Sequence, residues 1–231
     1  MSENIKKYAE KCYAADVIQD DVSELINFAL ILLDNKIESE DIFILAGLSE
    51  NEKYESRHYF EKVINALDIN IDKNKIDYFF ICYLNDKVQS GKIKPRNAVS
   101  ILYELYNKSD RKIFWEWFVF EYQIEMLEEG LVLLNSTMTL SNINEYIREC
   151  FKLATILGTL ELPEKFEESA YCKKCGTRII PRSVEKRFFF KRELQYVCPN
   201  CSGKDFIWCS DNEGKKLYLK EIGYKFEEEL S

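Results

Sequence analysis

The chain has 231 residues, 46% hydrophobic and 14% aromatic, which is enough apolar material to bury a core in one or two domains. No apolar stretch follows the lysines of the N-terminus and none reaches the length of about 18 residues that a membrane span needs, so the sequence predicts no signal peptide, no membrane contact and a cytoplasmic protein. The formal net charge of −8 is unevenly spread: residues 166–231 carry 13 Lys+Arg against 11 Asp+Glu, a net +2, leaving −10 for residues 1–165. An acidic body of that kind argues against wholesale wrapping of nucleic acid, whose affinity comes mainly from neutralising phosphates.

The first 160 residues read as helices. Val22, Leu25, Ile26, Ala29, Leu32 and Leu33 recur at three and four, the period of a helix that buries one stripe. Ser39 to Leu48 is a short second helix with Gly47 as its stop, and Tyr54 to Leu67 a third with Tyr59, Phe60, Val63, Ile64 and Leu67 on one side. Asn74 to Ser90 follows, with Gly91 placed to take the left-handed conformation after its last turn. Pro95 suits the first position of a helix to Tyr106, because its missing N–H has no partner there in any case.

Asp110 is placed to cap the next helix, in which Ile113, Phe114, Trp117, Phe118 and Ile124 leave little polar surface and predict a central position in the core. After a break near Gly130, Asn142 and Glu145 have the spacing of a capping box for a last helix through Tyr146, Ile147, Cys150, Phe151 and Ala154, ended by Gly158. Leu160 to Ser169, with Pro163 and four glutamates, reads as a linker. Beyond it Leu194, Tyr196, Phe206 and Trp208 alternate with polar neighbours as in strands, and residues 211–214 read as a turn leading to a last strand at Leu217–Leu219. The expected fold is therefore mainly α, with an all-helical domain over residues 1–165 and a small β zinc ribbon over 166–231.

Four of the eight cysteines form two Cys-x-x-Cys pairs, Cys172 with Cys175 and Cys198 with Cys201. Two residues between thiols are too few for an easy bridge within a pair, but they let a tight turn aim both sulfurs at one ion, and two such turns complete the tetrahedral thiolate shell that Zn²⁺ prefers. Gly176 after Cys175 suits the first turn, whereas in the second the glycine, Gly203, comes one position late. One structural zinc is predicted, because a closed shell leaves no position for a reacting water. The segment resembles zinc ribbons in its Tyr171-Cys-Lys-Lys-Cys-Gly and Tyr196-Val-Cys-Pro-Asn-Cys turns, which implies the metal and the ribbon fold. Cys82 and Cys150 lie among apolar residues at helical spacing and read as small buried hydrophobes.

The 22 residues between the pairs include a basic stretch, Arg182 to Arg192, that interleaves cations with Phe188, Phe189 and Phe190. Arg182, Lys186, Arg187, Lys191 and Arg192 could grip phosphates while aromatic rings stack on bases. Alternatively, the phenylalanines pack on the helical domain and the cations face its acidic surface. No glycine-rich phosphate loop, nucleophile elbow or metalloprotease motif occurs, and the turns beside the lone histidine, His58, carry no cysteine or paired carboxylate arranged as a metal site, so no active site is expected.

Residues 30–106 further resemble a helical module of small uncharacterised bacterial proteins, some of which look like immunity partners of secreted toxins. The resemblance rests on Leu32-Leu33-Asp34, Ile44-Leu45-Ala46-Gly47-Leu48, Tyr59-Phe60-Glu61-Lys62 with Ala66-Leu67, and Gly91-Lys92-Ile93-Lys94-Pro95 with Ala98. It implies a helical fold more than a role. The expectation is thus a non-catalytic, zinc-binding protein that acts through contact with another protein, as an immunity or regulatory partner, with a nucleic-acid-binding ribbon using residues 182–192 as the alternative.

Overall fold

The computed structural model describes residues 3–109, 111–131, 133, 137–188 and 191–225, the side chains of 186–188 and 191–193 excepted. Asp110, expected to be a helix cap, lies outside them, as does the acidic end of the chain. The described residues form a mainly α protein with nine α-helices and two small antiparallel sheets near the C-terminus. None of these helices is long and apolar enough to cross a membrane.

By compactness the chain divides into two units, 1–94 and 95–231. The helices after Pro95 therefore group with the cysteine-bearing segment, where composition alone draws a division at 165/166.

The first unit consists of α1 (Glu3–Gln19), α2 (Ser23–Asp34), α3 (Glu40–Gly47), α4 (Lys53–Ala66) and α5 (Ile76–Gln89). Helix α2 turns Leu25, Phe28, Ala29 and Leu32 to one side, and all four are fully buried, as the three-and-four spacing requires. Phe28 meets Phe60 of α4 edge to face at 5.5 Å, and Phe80 and Leu84 of α5 are also fully buried. Each such side chain contributes about 1.5–3 kcal/mol by leaving water. Ser39 caps α3 by accepting the Ile42 N–H at 3.3 Å, and Gly91 takes a φ of +73° after α5.

Two of the acidic groups buried in this unit, Asp16 and Glu24, are paired. Asp16 accepts two N–H groups of Arg57, at 2.7 Å and 3.0 Å, and Glu24 accepts Lys87 Nζ at 2.5 Å. Helix α1 was not singled out by periodicity, because the side it buries is made of Ala9, Cys12, Ala14 and Ala15 rather than large residues.

The second unit begins with α6 (Pro95–Ser109), α7 (Trp115–Glu128) and α8 (Ile143–Leu157). Phe114, Trp117, Phe120 and Ile124 are buried, but Ile113 and Trp115 are exposed, so the apolar circumference of this region is only partly core. The capping box at Asn142 does not form. Its amide is already engaged with the loop before it, accepting from Thr139 N at 2.7 Å and donating to Thr137 O at 3.1 Å.

The expected linker is likewise part of the packing. Phe166, in a 3₁₀ turn over Phe166–Glu168, is buried with Leu153 and Leu157 of α8. Strands β1 (Ala170–Cys172), β2 (Arg178–Ile179) and β5 (Phe206–Trp208) make one sheet in the order β2-β1-β5, and β3 (Arg182–Phe188) with β4 (Lys191–Val197) makes a separate two-stranded sheet.

The expected strand at Leu217–Leu219 is instead α9 (Asn212–Glu221), and Asp211 is its cap rather than part of a hairpin turn. Asp211 accepts the Glu213 N–H as a helix cap does. Tyr218 and Leu219 then join Phe166, Tyr171 and Cys209 in the core that α8 supplies.

Candidate metal centre

Both cysteine pairs are built on one backbone plan. In the first, the Gly176 N–H donates to the Cys172 carbonyl at 2.8 Å and the Cys172 N–H to the Thr177 carbonyl at 3.1 Å. In the second, the Ser202 N–H donates to the Cys198 carbonyl at 2.9 Å and the Cys198 N–H to the Gly203 carbonyl at 2.8 Å. Gly176 and Ser202 are equivalent and both have positive φ, +71° and +58°.

The late glycine of the second turn has a separate cause. A Cβ on Gly203 would lie 2.9 Å from Cys172 Sγ and 3.3 Å from Cys201 Sγ, so this position must be bare for the two turns to close on each other. Ser202 meanwhile carries the left-handed backbone that glycine relieves at 176.

The four sulfurs lie within 4.8 Å of one another. Cys172 Sγ and Cys201 Sγ are 3.5 Å apart and Cys175 Sγ and Cys198 Sγ 3.8 Å apart, close to the edge of about 3.8 Å that a tetrahedron with zinc–sulfur bonds of about 2.3 Å requires. Cys172 and Cys198 are buried, Cys201 is half-buried and Cys175 exposed. The amide of Thr177, followed by its hydroxyl, pulls the Cys175 thiol down to about 6. The equivalent amide of Gly203 is the largest influence on Cys201 and also lowers it, but desolvation and hydrogens shared with Cys172, Cys175 and Cys198 outweigh it, and the thiol is pushed up to about 12.

One sulfur of the group ionises readily while a neighbour resists, as expected where like charges share a small volume. A divalent cation eases the conflict by bonding all four thiolates at once, although the centre stays net negative. The cluster can hold one metal ion such as zinc, with Cys172, Cys175, Cys198 and Cys201 as its ligands.

Helix α9 supports this centre from the side of β5. Gly214 is pressed so closely on the end of β5 that an added Cβ would overlap the Trp208 carbonyl and lie 2.8 Å from Cys209 Cα. Asp211 accepts the Tyr146 hydroxyl at 2.5 Å, Asn212 donates to the Tyr146 carbonyl at 3.1 Å, and Lys215 is ion-paired with Glu116. Glu221 at the far end accepts Arg178 Nε at 3.1 Å and the Tyr171 hydroxyl, tying α9 to β2 and β1. These polar docking residues were missed by sequence reasoning, and their one readable signal was Gly214 within an otherwise helix-compatible stretch.

The remaining described cysteines near the site or in the cores, and the lone histidine, take no part in the sulfur group. Cys209 is buried in the α8–α9 core and is not a member of the sulfur group. Cys82 and Cys150 are buried, and burial is the main cause that pushes both thiols up, as expected of inert core cysteines. His58 is exposed on α4 beside the rings of Tyr54 and Tyr59.

Arg182, at the start of β3, is exposed. The side chains of Lys186, Arg187, Lys191 and Arg192 lie outside the described residues, but the backbone register sets Arg187 opposite Arg192 and Phe188 opposite Lys191. No family model, curated protein or solved structure matches the chain, which is therefore assigned to no family.

Proposed function

We propose that this chain is a non-catalytic, zinc-binding cytoplasmic protein that works by contact with another protein, as an immunity or regulatory partner. The observation that carries the zinc part is the closed group of four sulfurs on two equivalent turns. With four thiolates the shell is complete, so the metal has no position at which to activate water, and its role is to fix the ribbon. Support for the contact role comes from the exposed Trp115, which stacks on the half-buried Phe118 and meets Tyr106 to form an aromatic surface group. Affinity capture with the zinc-loaded protein, from lysate with and without nuclease, tests it: a partner retained after nuclease treatment is expected, and loss of every partner on nuclease treatment would overturn it.

A nucleic-acid reading has one observation in its favour. The hairpin β3–β4 is a sheet of its own, so its two strands gather the basic residues of 182–192 into one short hairpin. If it holds, RNA binding should weaken steeply with salt, with a logarithmic slope of about −0.7 per phosphate contact on single strands. Neutralising Arg187 and Arg192 together should make that slope shallower.

A further inference from the structure

The second unit contains a cavity of about 250 Å³ whose walls include the rings of Trp115, Trp117, Phe120 and Tyr146. Trp117 and Phe120 meet edge to face at 6.2 Å, and Phe120 stacks on Tyr146 at 5.8 Å. Three carboxylates and one ammonium also line it, and their partners are unequal. Glu116 is paired with the buried Lys215. Asp211 is satisfied by the Tyr146 hydroxyl, by the amide and hydroxyl of Thr137 and by the Glu213 N–H.

Glu167 alone among these carboxylates has no hydrogen bond or ion pair among the described residues. Desolvation, then the charge of Glu116, raises its carboxyl above the ordinary range, and Lys215 offsets this only in part.

An uncompensated acid beside aromatic faces favours one kind of guest. Ring quadrupoles and a carboxylate both attract a cation, and an apolar stem on that cation covers ring surface at the same time. An anion would meet the excess of carboxylates, and the one ammonium in the wall is already committed to Glu116. Glu167 is exposed at the edge of this cavity, so a neutral guest settling over it would strip water from the carboxylate without supplying a partner.

The surroundings indicate where such a cation comes from. Trp115 is 48% exposed, and it continues outside the cavity into a shelf of rings, stacking on Phe118 at 5.3 Å and meeting Tyr106 at 5.4 Å, with Tyr103 stacked on Phe118 at 5.5 Å. A free amine would use only the cavity. A protein segment that carries a cation between apolar residues would use the shelf as well, and guanidinium is the cation that both stacks on rings and pairs with a carboxylate.

We propose that this cavity receives an arginine side chain of a partner protein, its guanidinium against Glu167 and the aromatic wall, and its neighbouring apolar residues on the Tyr103–Tyr106–Trp115–Phe118 shelf. The inference rests on the protein-contact reading above.

The test is a nuclear magnetic resonance titration of the full, zinc-loaded chain, following the indole N–H signals of Trp115 and Trp117. The probes are N-acetyl-arginine amide, its neutral counterpart N-acetyl-norleucine amide, agmatine, and the capped tripeptide Leu-Arg-Phe. Saturable shifts are expected with the arginine amide and the tripeptide, the tripeptide binding more tightly, and none with norleucine amide. Glu167→Gln should weaken both arginine probes by about fivefold or more, and Trp115→Ala should weaken the tripeptide most.

Equal binding of norleucine amide, or no saturable shift with any probe while zinc remains bound, would overturn the cation site without touching the metal assignment. Agmatine binding as tightly as the tripeptide would overturn the protein partner, leaving a small-amine site.

Discussion

The α1–α5 bundle and the ribbon with α9 solve the same problem by different physics. In the bundle, Leu25, Phe28, Leu32, Phe60, Phe80 and Leu84 are removed from water almost completely, and the buried Asp16 and Glu24 are matched by Arg57 and Lys87. The ribbon's three-stranded sheet has strands of only two or three residues, too little to hold itself by burial, so its order depends on four sulfurs drawn to one point and on α9 docked through Asp211, Asn212, Lys215 and Glu221. A bundle of the first kind should lose stability in small increments when altered, whereas the second kind should fail at single groups.

Metal removal should separate the regions most. Structural zinc contributes on the order of 10 kcal/mol to folding in small finger peptides, so a strong chelator should abolish amide protection across residues 170–222 in hydrogen exchange while α2, α4 and α5 keep theirs. Equal loss in both regions, or none in the ribbon, would break the comparison.

Next in size is Gly214→Ala. Its new Cβ would overlap backbone that no rotamer change can move, so α9 must lift from β5 at a cost on the order of 3 kcal/mol or more, read as a lower denaturation midpoint of the second unit. An unchanged midpoint would show that α9 does not carry the ribbon.

A smaller effect, with a defined pH dependence, is expected at Glu221. The Tyr171 hydroxyl and Arg178 hold its carboxyl below the ordinary range. Because the folded value is depressed, the stabilisation is present above the unfolded value of about 4.3 and is lost as pH falls through the folded one. Screened by solvent, it amounts to about 1 kcal/mol at most, so Glu221→Gln should lower stability slightly at neutral pH and flatten the acid limb of the stability profile. Smallest of all, Ser202→Gly should stabilise the ribbon by up to about 1 kcal/mol in chemical denaturation, since φ there is +58°, while Gly176→Ser should do the reverse.

The difference in physics also decides how far each region could be read from sequence. Apolar periodicity locates α2 through α8, because in those helices the residues that repeat at three and four are the ones that face inward. The same rule passes over α1, whose buried side is alanine and cysteine. It misreads Asp211-Asn212-Glu213-Gly214 as a turn because two of those three polar side chains, Asp211 and Asn212, are buried, each against Tyr146, more than 60 residues away in sequence. The metal centre was legible because Cys-x-x-Cys spacing is local chemistry that needs no knowledge of the fold. What the spacing did not disclose is that Gly203 serves the approach of two sulfurs and Ser202, not glycine, takes the left-handed position.

The central claim, a single metal ion held by Cys172, Cys175, Cys198 and Cys201, is tested most directly by metal analysis and native mass spectrometry of the purified chain beside Cys175→Ser. About one zinc per wild-type chain and its loss from the variant are predicted. A wild-type chain that takes up no zinc when refolded with it, or a Cys175→Ser chain that retains it fully, would contradict the assignment.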